Sequence, residues 1–179
     1  ITGQYAFIGD DSEGLQVIDI TSPESASLVK TVETNWPSYA NDAAVAGNYA
    51  YLAAGETGLQ IIDISTLETA SVVKTVATTD AKGVTISGDY AYVADYSSGL
   101  RIIDISSPLE AAIVKSLDTT GYAQDVAVFE TYAYVADYSP GLQIVDISTP
   151  STASVIRTVD TTRAMGVTVL DNHAYVADG

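Results

Sequence analysis

Tyr90-Ala91-Tyr92-Val93-Ala94-Asp95, a short Ser97-Ser98-Gly99 turn, and then Leu100-Arg101-Ile102-Ile103-Asp104-Ile105 are the residues whose reading decides the fold. Aromatic and β-branched residues bounded by Gly, Ser and Asp describe two short strands joined by a tight turn. The same phrase returns along the chain. Tyr5, Tyr49, Tyr90, Tyr132 and His173 open five copies of it, spaced 41 to 44 residues apart. Gly14-Leu15, Gly58-Leu59, Gly99-Leu100 and Gly141-Leu142 keep the same phase, as do Asp19, Asp63, Asp104 and Asp146 at the centre of each Ile-Asp-Ile or Val-Asp-Ile. Three markers in register make this a repeat protein.

Each unit reads as four strands. A small apolar one comes first, as in Asp42–Val45, Gly83–Ile86, Asp125–Val128 and Gly166–Val169. The Tyr-Ala-Tyr-Val-Ala and Leu-x-Ile-Ile-Asp-Ile strands follow. A Ser/Thr-Pro turn then leads to a fourth strand such as Ser71–Val76. Leu100-Arg101-Ile102-Ile103 and Val84-Thr85-Ile86 carry apolar residues on both faces. A strand buried on both faces needs a layer on each side, and stacking ~40-residue four-stranded sheets around an axis supplies both. The fold predicted is therefore all-β, a β-propeller of four-stranded antiparallel blades with about four blades in this chain. Residues 1–179 form a single domain of units near 1–40, 41–81, 82–123 and 124–164, with a partial unit over 165–179.

The strand count starts and stops on a second strand, near Tyr5 and Tyr175. The chain has no initiator Met and no signal peptide at Ile1-Thr2-Gly3, and it stops inside a repeated motif, so it is expected to be a piece of something longer. An open stack would expose sheet faces and strand edges. The expectation is either a fragment of a larger propeller or a homodimer in which two chains close one ring.

The motif Tyr-Ala-Tyr-Val-Ala-Asp…Gly-Leu-x-Ile-Ile-Asp-Ile-Ser-x-Pro resembles the LVIVD repeat family over essentially the whole chain. That resemblance implies a β-propeller of bacterial or archaeal surface and secreted proteins, and so an extracellular or cell-surface location. It implies no agreed biochemical activity. The chain departs from the motif at Phe7-Ile8-Gly9, at Ala54 in place of Asp, and at Leu67 in place of Pro.

Seven basic residues face 23 acidic ones, a formal net charge of −16. Such a surface repels nucleic acid and anionic membrane. No apolar run reaches the ~18 residues of a membrane span. With no Cys, disulfides and thiolate metal sites are excluded.

Residues just before each first strand are expected at the mouth of the central channel: Asn41, Asp42, Lys82, Gln124, Asp125 and Met165. They form the candidate ligand-binding set, with solvated loop ends as the plainer reading. Trp36, Tyr39, Tyr122 and Arg163 are candidates for an interaction loop, and Trp36 suits blade packing equally well. Oxygen-rich loops at Asp10, Asp11, Asp95 and Asp137 offer a weak match to Ca²⁺, which needs six to eight oxygen ligands. A β-turn with Asp first and Gly last explains them more simply. The Ile-Asp-Ile carboxylates suit caps of the following turn. The Tyr49/Tyr51, Tyr90/Tyr92 and Tyr132/Tyr134 pairs suit inter-blade packing better than a sugar-stacking ladder. His173 stands at a Tyr position and reads as structural.

No phosphate loop, dinucleotide fingerprint or Gly-x-Ser-x-Gly elbow occurs, and no residue is assigned a catalytic role. The function expected is a non-catalytic surface binding or scaffold module with a protein or glycan partner and no required cofactor. The alternative is a lactonase-like metal-dependent hydrolase with its site at the channel mouth.

Overall fold

The computed structural model describes residues 1–34 and 39–179. Seventeen strands among them form five antiparallel sheets, each a meander in chain order. Blade 1 holds β1 (Tyr5–Asp10), β2 (Gly14–Asp19) and β3 (Ser27–Val32). Blade 2 holds β4 (Asp42–Ala46), β5 (Tyr49–Ala53), β6 (Leu59–Asp63) and β7 (Ser71–Val76). Blade 3 holds β8 (Gly83–Ser87), β9 (Tyr90–Ala94), β10 (Leu100–Asp104) and β11 (Ala112–Leu117). Blade 4 holds β12 (Asp125–Phe129), β13 (Tyr132–Ala136), β14 (Gly141–Asp146) and β15 (Ser154–Asp160). Blade 5 holds β16 (Ala164–Leu170) and β17 (His173–Asp178). The Ser/Thr-Pro turns are single 3₁₀ turns, as at Pro108–Glu110, and Leu67–Thr69 forms one without the proline.

Alternation along each strand sends one set of side chains forward to the next blade and the other set back to the previous one. Blade 2 sends Tyr51, Leu59 and Ile61 forward against Val84, Val93 and Ile103 of blade 3. Blade 3 sends Tyr92, Leu100 and Ile102 forward against Val126, Val135 and Val145 of blade 4. Phe7 and Leu15 meet Leu52 and Ile62 in the same way, and Tyr134 and Leu142 meet Val167 and Val176. The core is thus a series of interblade layers, not one centre. Each large side chain buried in a layer contributes about 1.5–3 kcal/mol. The Tyr-x-Tyr ladder is part of this core: Tyr51 and Tyr92 are only 2% and 3% exposed.

The first strands β4, β8, β12 and β16 lie side by side and line the inner edge of the arc. The arc does not close into a ring. Close approach of neighbouring inner strands constrains their residues. A Cβ on Gly83 would stand 3.0 Å from both the Cα and Oδ1 of Asp125, whereas one on Gly166 would meet nothing nearer than 3.7 Å. Gly83→Ala is therefore expected to lower stability by about 1–3 kcal/mol through overpacking. Gly166→Ala should be neutral or slightly stabilising through the unfolded state. Thermal denaturation of the two variants side by side checks the contrast.

Candidate functional site at the channel mouth

Asn41, Asp42, Lys82, Gln124, Asp125 and Met165 line one depression of about 270 Å³, together with Gly83. They come from blades 2 to 5 and meet because each sits at, or one residue before, the start of an inner strand. Met165 is the exception in register, since β16 begins earlier, at Ala164.

The two carboxylates at the mouth are partly committed to the scaffold. Asp42 accepts the N–H of Ala43 at 2.8 Å through one oxygen and that of Val84, on the next blade, at 2.9 Å through the other. Asp125 repeats this with Val126 at 2.8 Å and Val167 at 2.9 Å. The inner strand of a blade has no further strand on its channel side, so its N–H groups there need other acceptors. One carboxylate serves two blades, and the following blade starts with Gly83 or Gly166 instead of an acid. Burial pushes the Asp42 carboxyl above its ordinary range, against these hydrogen bonds, and the charge of Asp125 adds to the rise. Asn41 donates its side-chain amide to the Ala81 carbonyl at 2.8 Å. Gln124 donates to the Tyr122 carbonyl at 3.2 Å, and Lys82 pairs with Asp80 at 3.0 Å.

Beside the depression lies an aromatic arc. The Tyr122 ring stacks on Tyr96 at 4.8 Å and meets Tyr138 edge-on at 6.4 Å. Lys82 sits 5.5 Å over Tyr96, and Arg163 sits 6.0 Å over Tyr138. Tyr122 and Arg163, expected as free interaction surface, thus already spend their inner faces on this stack. Tyr39 and Tyr122 remain 52% and 46% exposed. Trp36 lies outside the described residues. Tyr96 and Tyr138 escaped the sequence reading as site residues. Both hold positive φ, 42° and 54°, at the position where blade 2 has Gly55. A bulky residue there is uncommon, and each is held by paired backbone bonds to the next loop, Tyr96 with Ala123 and Tyr138 with Ala164. The Asp-Tyr-Ser repeat at both places was the available signal.

The loop carboxylates have separate structural partners. Asp95 is fully buried and accepts from the Thr79 and Asp80 amides and, at 2.8 Å, from Arg101 Nε. Asp137, also fully buried, accepts from the Thr119 hydroxyl and the Gly121 amide. Each clips the loop that enters its own blade. Asp10 instead takes the Gln16 side-chain amide at 2.6 Å, and Asp11 bridges its backbone to Ala40. Among the described residues no group of three or more acidic or His side chains gathers as a metal site would need. Asp19, Asp63, Asp104 and Asp146 each accept the N–H two residues on, and hydrogen bonds from the hydroxyl and the N–H of that Ser or Thr hold their carboxyls below the usual range. His173 lies 6.4 Å from the Tyr175 ring.

The chain belongs to the LVIVD repeat family, whose profile matches residues 1–34, 37–78, 79–119, 120–161 and 163–179. Its fold is that of β-propellers. The chain is 16% identical to BamB from Moraxella catarrhalis, with 98% of this chain over 52% of that one and a TM-score of 0.74. It is 13% identical to the β-propeller domain of Myceliophteria thermophila Cps50 (Swd1), with 92% over 58% and a TM-score of 0.71. Against the computationally designed Ika8 protein it is 11% identical, with 99% over 54% and a TM-score of 0.75. The chain therefore spans a little over half the length of these structures. No curated protein sequence matches it.

The buried Asp137 titrates near neutrality. Burial pushes its carboxyl up to about 6, against hydrogen bonds from Thr119, Gly121 and Gln143. An unfolded Asp ionises near ~3.9. Between those values the folded state holds a proton that the unfolded state has released, so this contribution is full below about pH 4 and is lost as pH rises through about 6. Asp137→Asn removes the titration. The melting temperature of the variant relative to the parent should therefore rise between about pH 4 and about pH 7.5, by the equivalent of at most ~3 kcal/mol. Differential scanning calorimetry at the two pH values reads this directly; a difference independent of pH would contradict it.

Proposed function

We propose that this chain is a non-catalytic binding module of a cell-surface or secreted protein, and that it takes its ligand on the channel-mouth face. The observation that carries the reading is the convergence of Lys82, Gln124 and Met165, from three blades, on one depression beside the half-exposed ring of Tyr122. Polar groups of mixed charge next to aromatic edges suit hydrogen-bonded recognition of a glycan or a protein loop. The residues around the depression offer amides, one ammonium and two carboxylates that hold backbone N–H groups. The surface location is part of this proposal and is supported by the resemblance to surface-protein repeats, and a strong negative charge disfavours nucleic acid and anionic lipid as partners.

The test is a binding screen of purified chain against glycan and surface-protein arrays, followed by titration of any hit. Lys82→Ala combined with Gln124→Ala should weaken binding by about tenfold or more, the worth of two lost polar contacts. Both side chains sit at the rim, so melting temperature should stay close to that of the parent. Binding that survives this pair of changes and Met165→Ala would place the ligand elsewhere and end the reading.

A further inference from the structure

A row of loop residues crosses the mouth face from blade to blade, and one place in it carries no side chain. Asp11, Gly55, Tyr96 and Tyr138 are the same position in successive blades. Each exchanges a pair of backbone hydrogen bonds with an alanine of the loop into the next blade: Ala40, Ala81, Ala123 and Ala164. The residues just before those alanines are Tyr39, Asp80, Tyr122 and Arg163. The two sets interleave along the row. Around Tyr122 the places are filled, for its ring stacks on Tyr96 and meets Tyr138 edge-on. Tyr39 holds the place of Tyr122 one doublet earlier, but its neighbours in the row are Asp11 and Gly55. Tyr39 is half-exposed, and among the described residues no ring lies against it.

The backbone does not close this gap. A Cβ on Gly55 would meet the Tyr39 carbonyl oxygen at 3.4 Å, Tyr39 N at 3.5 Å and Asp80 Oδ1 at 3.6 Å, all ordinary contacts. The conformation admits a side chain too. Gly55 has φ 53° and Tyr138, its counterpart, has φ 54°. Blade 2 therefore keeps a notch where blade 4 has a tyrosine ring. The Gly55 backbone is its floor, with Tyr39 and Asp80 on either side.

The chemistry of the notch narrows what can enter. Asp80 Oδ1 is held by Lys82 Nζ at 3.0 Å, with both side chains largely buried. The Asp80 N–H is itself bound by the buried Asp95 carboxylate at 2.7 Å. Such a fixed carboxylate only accepts hydrogen bonds, so an occupant must bring donors. The face of a tyrosine ring is electron-rich and attracts C–H groups. A pyranose meets both demands, with C–H bonds on its faces and hydroxyl groups round its edge. A phenyl ring would strip water from Asp80 and return no hydrogen bond. The net charge of −16 disfavours acidic sugars.

We propose that the notch over Gly55 is a subsite for a neutral pyranose of a glycan, its ring against Tyr39 and its hydroxyl groups donating to Asp80. Lys82 belongs both to this ion pair and to the depression at the mouth, so a chain of sugars seated in the notch continues into that depression. The inference rests on the reading that the mouth face binds a ligand, and it fixes the class of that ligand. Few polar groups beside an aromatic wall, already in place, are what a specific small site needs.

The test fills the notch from within. Calorimetric titration of the parent chain with cellohexaose, maltohexaose, mannohexaose and chitohexaose should give saturable binding to at least one of them. Gly55→Tyr supplies the side chain that blade 4 has at this place. It should weaken that binding by about tenfold or more, with a melting temperature close to that of the parent. Tyr39→Ala and Asp80→Asn should each weaken it to a similar degree, and they keep the test open if Gly55→Tyr folds poorly. No saturable binding of any of the four sugars at millimolar concentration overturns the proposal, as does sugar binding that all three variants leave unchanged. A ligand lost with Lys82→Ala and Gln124→Ala, yet indifferent to Gly55→Tyr and Tyr39→Ala, overturns the notch alone and leaves the broader reading of the mouth standing.

Discussion

Everything in this molecule rests on side-chain layers shared between sheets that are greasy on both flanks. A four-stranded meander with Tyr, Leu and Ile on one side and Val, Ala and Ile on the other gains little by folding alone, because either flank left in water forfeits most of its burial energy. Placed between two neighbours, it buries both. Tyr51, Leu59 and Ile61 against Val84, Val93 and Ile103 form one such layer, repeated with small changes along the arc. Stability is therefore close to a sum over nearest neighbours, as in other repeat proteins.

Polar groups do a second and separate job. Rows of carboxylates mark the points where backbone N–H groups would otherwise be unpaired. Those in Ile-Asp-Ile hold the outer turns, and Asp95, Asp137 and Asp178, at the ends of their second strands, hold the loops between blades. Asp42 and Asp125 hold the channel-side edge. Much of the acidity of the chain thus has local structural work. Blade 2 carries a buried Ala54 where the loop clip is Asp in blades 3 and 4.

The sequence made the blades legible because their markers recur in phase. Strands β4 to β15 begin and end within a residue or two of the limits drawn from Gly-Leu, Ile-Asp-Ile and Ser-Pro. The six mouth residues share a depression for the same reason: once the inner strand is placed, the residues at its start have one place to go. What the pattern did not show is how a side chain divides its contacts. Tyr122 and Arg163 read as open surface, yet a stack through Tyr96 and Tyr138 takes their inner faces, because two left-handed tyrosines turn their rings toward it. Reading each unit as identical also hid the bridging by Asp42 and Asp125. That bridging shows only when units are compared in pairs, 83 residues apart.

The shared carboxylate has a consequence for how such an array can lengthen. A gene that duplicated a single unit would set two acid-led inner strands next to each other, or two glycine-led ones. In the first case neighbouring negative charges would crowd a desolvated edge. In the second an amide would lose its acceptor, at about 1–3 kcal/mol. Copying two units at once avoids both penalties.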